Sequence, residues 1–247
     1  MARRGHRPST GTANRPRLWG RHAVTAALAN PDRTVRKLWL TREAAAAIPV
    51  PPEIPVTYAD VADLGRLVPS DAPHQGVIAE VDPLEDMWLA DLLMAGKDDQ
   101  RPLVVLDQVT DPHNVGAILR SAAAFDALGI VTQDRHSPPE SGTVARAASG
   151  ALETVPWVRV VNLARALDEI AEAGFWRIGL TGHVTETLAQ VMGTQRVCIV
   201  LGAEGEGMRQ NTEAHCDQLA RLPITDQVES LNVSNAAAVA LYAAAAR

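Results

Sequence analysis

Leu103-Val-Val-Leu-Asp-Gln-Val-Thr-Asp-Pro-His-Asn-Val-Gly-Ala-Ile-Leu-Arg120 decides how this chain folds. Four apolar residues, too few for a helix, lead into a polar turn at Asp111-Pro112, and an apolar stretch of helical length then runs over 115–127. Strand, turn and helix in that order form the repeating unit of a parallel sheet. The alternation continues downstream. Short apolar runs fall at 129–132, 158–161, 177–180, 197–201 and 218–222, with helical stretches at 163–173, 208–215 and 231–246 between or after them. The fold class is therefore α/β, a mostly parallel sheet with helices on both faces. Ligands of such sheets sit at the carboxyl ends of the strands, where the polar turns lie.

Upstream of residue 102 the pattern is smaller. A helix is expected over 22–29, strands over 35–40, 54–58 and 76–81, and a helix over 59–67. The resulting division is a basic, disordered tail at 1–17, a small α/β domain at 18–82, a linker at 83–101 holding a helix over 84–95, and the main domain at 102–247. The chain of 247 residues is long enough for two cores, and it has no apolar run of the roughly 20 residues that a membrane span needs. The two cysteines, Cys198 and Cys216, have neither metal-ligand spacing nor disulfide-scaffold density, which fits a reduced, cytoplasmic protein.

The net charge of −6 is unevenly spread. Residues 1–42 carry ten Arg/Lys against one acid, Asp32, a charge of +9, and the remainder carries −15. A basic arm on an acidic body suits a polyanionic partner, with Arg21, His22, Arg36 and Lys37 as candidate contacts. A solvated tail or an organellar transit segment are the other readings of the first residues, and no apolar signal core follows Arg3–Arg7.

Two further segments carry chemistry. Gly202-Ala-Glu-Gly-Glu-Gly207 is a glycine-rich turn between a strand and a helix. Its spacing is G-x-x-G-x-G, it lacks the G-K-[ST] of a phosphate loop, and Glu204 and Glu206 would repel a phosphate. Backbone amides there suit an adenine and ribose, and the carboxylates tolerate a positively charged cofactor. Glu204 could also orient Arg120 through an ion pair. Ser230-Leu-Asn-Val-Ser-Asn235 opens an alanine-rich apolar helix, where Ser and Asn are also ordinary caps. Asn114 stands where a cap of the first helix is expected, with Arg120 six residues on and roughly on the same side. An arginine facing a site would suit a bidentate grip on an RNA phosphate. His113 is a candidate RNA contact or an exposed loop histidine. No Ser-His-Asp order, HExxH or Cys/His cluster is present, so no metal is expected.

Taken together, the segments at 107–120, 201–208 and 229–235 resemble the three motifs of the SpoU/TrmH methyltransferases, and Gly20-Arg-His-Ala-Val-Thr-Ala-Ala-Leu28 resembles the opening of that family's small RNA-binding domain. The resemblance is greatest to the branch that methylates a guanosine of large-subunit ribosomal RNA. It implies a C-terminal trefoil knot, a homodimer built on the knot helices, and S-adenosylmethionine as methyl donor to a ribose 2′-oxygen. It further implies Asn114, Arg120, Glu204, Ser230 and Asn232 as the motif residues, with cofactor contacts at Thr181, Gly182, Gly202, Leu222 and Leu231. Ser137-Pro-Pro-Glu-Ser-Gly142 departs from the polar or basic loop of relatives and is expected to contact RNA. Transfer RNA is the alternative substrate. A non-catalytic RNA-binding relative and a nucleotide-dependent oxidoreductase are the alternative classes.

Overall fold

A computed structural model of the chain describes residues 15–225 and 227–246, so most of the expected tail lies outside the described residues. Regular structure begins at Arg17, one residue before the expected domain start. The N-terminal unit comprises β1 (Arg17–Trp19), α1 (Arg21–Ala29), β2 (Val35–Leu40), α2 (Arg42–Ala47), β3 (Val56–Tyr58), α3 (Val61–Gly65) and β4 (Val77–Val81). Its four strands lie in the order β1-β4-β2-β3, with β4 antiparallel to both neighbours and β2 parallel to β3. Leu38 and Leu40 alternate into the core from β2, as a half-buried strand requires.

α4 (Leu89–Ala95) follows, and its Leu89, Leu92 and Leu93 are buried. Within the segment 83–101, expected as a linker, this helix thus packs into the second unit's core. That unit continues through β5 (Leu103–Leu106), α5 (Pro112–Ala124), β6 (Gly129–Gln133), α6 (Gly142–Ala148), β7 (Trp157–Val160), α7 (Leu163–Glu172), β8 (Trp176–Leu180), α8 (Leu188–Val191), β9 (Val197–Leu201), α9 (Gln210–Glu213), β10 (Gln218–Ala220) and α10 (Val233–Ala245). The six strands stand in the order β10-β8-β9-β5-β6-β7, and every pair is parallel. Both faces are covered. Val104 and Leu106 of β5 point into the core holding Val115, Ile118 and Leu119 of α5, whereas Leu103 and Val105 point to Leu163, Leu167 and Ile170 of α7. Full burial on both sides is what makes these strands uninterrupted apolar runs. No helix among the described residues is long and apolar enough to cross a membrane.

The two units share one core cluster, in which Leu18 and Val24 join Val144 and Ala148 of α6. An ionic cluster lies beside it. The side chain of Arg33, with no solvent exposure, donates to both carboxylate oxygens of Glu153 (2.9 and 2.8 Å), to Glu140 (2.5 Å) and to the Asp82 carbonyl (2.9 Å). The Leu84 amide donates to the second oxygen of Glu140 at 3.1 Å. The loop at 137–142, expected to contact RNA, therefore commits its acid to the seam between the units. A buried carboxylate stripped of its cation costs about 3–5 kcal/mol, so the cluster holds together or fails as a whole.

Candidate active site

The motif-one helix starts earlier than expected. Asp111 is its N-cap, accepting from the His113 amide at 3.0 Å, and Pro112 takes the first helical position, where its missing N–H is no loss. Asn114 is therefore inside α5, buried, with its side chain aimed at the glycine-rich loop. One carboxylate oxygen of Glu204 accepts from the Asn114 side-chain amide (3.2 Å), from the Val233 backbone (3.2 Å) and, in a short bond, from the Asn232 side-chain amide. Asn232 also donates to the Asn114 side-chain oxygen at 3.0 Å, which closes a triangle. Asn232 itself is the N-cap of α10, accepting from the Ser234 amide at 2.8 Å, so this helix begins at Val233 rather than Leu231.

The expected ion pair between Glu204 and Arg120 does not form. Six residues turn a helix by about 600°, which leaves Arg120 roughly 120° away from Asn114 rather than on its side. Arg120 is exposed and makes no hydrogen bond or ion pair among the described residues. Ser230 is exposed as well, on the rim of the cleft beside the triangle.

That cleft, of about 530 Å³, opens at the carboxyl ends of β8 and β9. Thr181, Gly182, Gly202, Leu222 and Leu231 all line it. Backbone amides of Gly182, Gly202 and Leu231 meet no acceptor among the described residues and are available to a ligand. At Gly202 a Cβ would lie 2.0 Å from the Gly207 carbonyl carbon, so only glycine lets the loop fold flat against the strand end. Glu204, Glu206, Glu213 and Glu229 outnumber the one arginine on the lining, Arg221, and favour positive charge. Amides, an apolar floor and acids together fit an adenosine bearing a sulfonium and disfavour a phosphate.

The far end of the glycine-rich loop is held by a pair that sequence reasoning did not assign. Asp107 is fully buried, and it accepts from the Arg209 backbone amide and Nε, each at 2.9 Å. Arg209 also donates to Gln133 at 2.8 Å, joining the ends of β5, β6 and the loop. The only signal in the sequence is a carboxylate directly after a buried strand, which must find a cation but does not say which. Burial pushes the Cys216 thiol up to about 12 and Cys198 well above its ordinary value, so neither supplies a thiolate.

The expected RNA contacts are spread out. Arg21 and His22 are exposed at the start of α1, and His113 is exposed at the start of α5. Lys37 stacks over Trp39 at 4.8 Å. Arg36, its neighbour in the strand, is bound to Asp82, whose carboxyl it holds below the usual range with help from Arg15.

A parallel sheet whose strand ends open onto a cleft of amides unpaired among the described residues, with polar side chains from a helix, a loop and a helix cap meeting beside it, defines an α/β enzyme with a nucleoside-cofactor site. A family model described as "SpoU rRNA Methylase family" matches residues 101–242, and one described as "RNA 2'-O ribose methyltransferase substrate binding" matches residues 17–87. The chain belongs to the SpoU rRNA methylase family. It is 40% identical to a 23S rRNA (guanosine-2'-O-)-methyltransferase of Vibrio cholerae, over 92% of this chain and 95% of that one. It is 39% identical to an uncharacterised tRNA/rRNA methyltransferase of Synechocystis, over 91% of its own length but only 61% of the relative's. The crystal structure of the SpoU methyltransferase AviRb from Streptomyces viridochromogenes with AdoMet has the same fold, with a TM-score of 0.77 at 23% identity over 93% of this chain and 89% of that one.

Proposed function

We propose that this chain transfers a methyl group from S-adenosylmethionine to the ribose 2′-oxygen of a guanosine in large-subunit (23S) ribosomal RNA. The observation that carries this reading is the triangle of Asn114, Glu204 and Asn232, whose Glu204 lines the amide-lined cleft. Relatives with that named activity, matching over nearly the whole chain, support the substrate.

A ribose hydroxyl is a weak nucleophile at neutral pH, so alignment supplies much of the rate. S-adenosylmethionine contributes a methyl already activated by its sulfonium, and the leaving group needs no proton. Thr181, Gly182, Gly202, Leu222 and Leu231, which line the cleft, would hold it, largely through backbone. Asn114 and Asn232, fixed by Glu204, orient the ribose with Ser230. Arg120 grips the phosphate of the target nucleotide with its planar fork. With the cofactor bound, the hydroxyl proton would leave to water at the open rim while the methyl's bond to the 2′-oxygen would replace its bond to sulfur.

The C-terminal segment is read as a trefoil knot, one of the rare exceptions to unthreaded topology. The run through the glycine-rich loop and β10 returns so that α10 packs on α5 and β9, which supports that reading. On the outer side of α10, Val239 (45% exposed) and Tyr242 (62%) form an apolar stripe, with Tyr242 edge-on to Phe125. A second copy covers this stripe, and the resulting homodimer works in the cytoplasm. Arg120, outside its own chain's cleft, then serves a site completed by the partner. Light scattering is expected to give twice the chain mass of 26.4 kDa for the protein and the single mass for the double variant Val239→Asp/Tyr242→Asp. A wild-type monomer that turns over RNA would overturn the shared site.

The test of function is methyl transfer from labelled S-adenosylmethionine to ribosomal RNA lacking its own 2′-O-methyl marks, with the labelled nucleotide mapped. Label at a single large-subunit guanosine is expected. Label in transfer RNA would keep the chemistry and overturn the substrate.

A further inference from the structure

We infer that Arg146, on α6 of the catalytic unit, and Arg21, on α1 of the N-terminal unit, form a two-sided phosphate site for the RNA backbone in the seam between the units. The inference rests on RNA as the substrate and adds a contact that lies outside the cofactor cleft.

Arg146 carries five N–H donors and satisfies none of them on the described residues. Its Nε is shut away from solvent without an acceptor. A buried, unpaired donor in a folded chain calls for a missing partner, and a guanidinium calls for an anion with paired oxygens. The side chain is held in place by its surroundings. Its Cδ and Nε lie 2.9 and 3.1 Å from where a Cβ would stand on Gly20, and Gln75 Oε1 lies 3.3 Å from the same point. Gly20 has φ +87, so glycine is required there both by the backbone and by the arginine resting on it.

Gln75 lies between the two residues, close to the same point over Gly20 as Arg146. Its Oε1 accepts from the Arg21 backbone amide at 3.0 Å, and its own φ of 54 is left-handed, a conformation that non-glycine residues keep mainly where surroundings demand it. Arg21, Gln75 and Gly76 line an open cleft of about 470 Å³. The acid in its lining, Glu43, is 90% exposed and only 3.7 Å from Arg21, a loose pair that an RNA phosphate can displace. α6 leans on the motif-one helix, with Gly116 directly under Ala147, the neighbour of Arg146. A strand of RNA laid in the seam is thereby led from the N-terminal cleft along α6 toward α5, which carries His113 and Arg120.

The test is binding of an unmethylated large-subunit rRNA fragment to the full chain across a salt series, without cofactor. Arg146→Ala is expected to weaken binding about tenfold and to reduce the slope of log K against log salt by about 0.7–0.9, the loss of one phosphate contact. Arg146→Glu is expected to weaken it further and Arg146→Lys to retain part of it. S-adenosylmethionine affinity, measured by calorimetry, is expected to be unchanged in all three. An Arg146→Ala chain with wild-type RNA affinity and slope would overturn the site. So would inorganic phosphate binding that depends on Arg146 while RNA binding does not. Because no turnover is read, the site and the methyl-transfer reading fail separately.

Discussion

Glu204→Ala is expected to lower kcat/KM for RNA by about 10²-fold while the protein stays folded. One oxygen of this carboxylate collects three donors, and two of them, the side-chain amides of Asn114 and Asn232, are the groups proposed to orient the ribose. Removing it releases both side chains and the first amide of α10 together. Misplacement of a reacting group by about 1 Å is enough for a loss of that size. Glu204 is itself exposed, so little core packing goes with it. Glu204→Gln keeps an acceptor oxygen and is expected to stay within about tenfold of wild type, since a neutral acceptor makes a weaker version of the same bonds. Steady-state methyl transfer with RNA as the varied substrate separates the cases. Wild-type kcat/KM in Glu204→Ala would mean that the triangle merely caps a helix.

Arg120→Ala is expected to cost about 10³-fold in kcat, the scale of losing a charged clamp that positions the reacting nucleotide. Arg120→Lys keeps the charge and loses the fork, and the expected cost is about tenfold or more. The side chain has no partner among the described residues, so neither change disturbs the fold and both can be read as effects on the reaction. Full turnover in Arg120→Lys would remove the two-pronged grip from the mechanism.

The sheet was largely legible before the structure. β5 at Leu103–Leu106 and β9 at Val197–Leu201 have the bounds expected of them, because a strand buried on both faces is an unbroken apolar run. α6 was not foreseen. Pro138, Pro139, Ser141 and Gly142 read as a loop, yet Ser141 caps a helix and Gly142 opens it. Gly142 is there because a Cβ would meet the Trp19 ring at 2.0 Å, a tertiary contact without a local signal. α2 was missed because a run of alanines after Thr41 has helix propensity but no periodicity to mark a face. At the site, the residue types were visible and their pairing was not. Glu204 has an obvious charged candidate partner in Arg120, but helix phase sends that arginine outward and brings two amides inward instead. The cap of α5 was displaced for a related reason: Pro112 fits the first turn so well that the helix starts there.

The buried cluster of Arg33, Glu140 and Glu153 has a consequence for how a target is chosen. A substrate-binding unit on a loose tether would let any RNA it captured sample the catalytic cleft, and selection would rest on local sequence alone. With the two units clamped together, the place where RNA is gripped and the place where it is modified stand at one separation. The expected result is a caliper: RNAs whose folded shape spans that gap are methylated, and a correct nucleotide presented at the wrong reach is left unmarked.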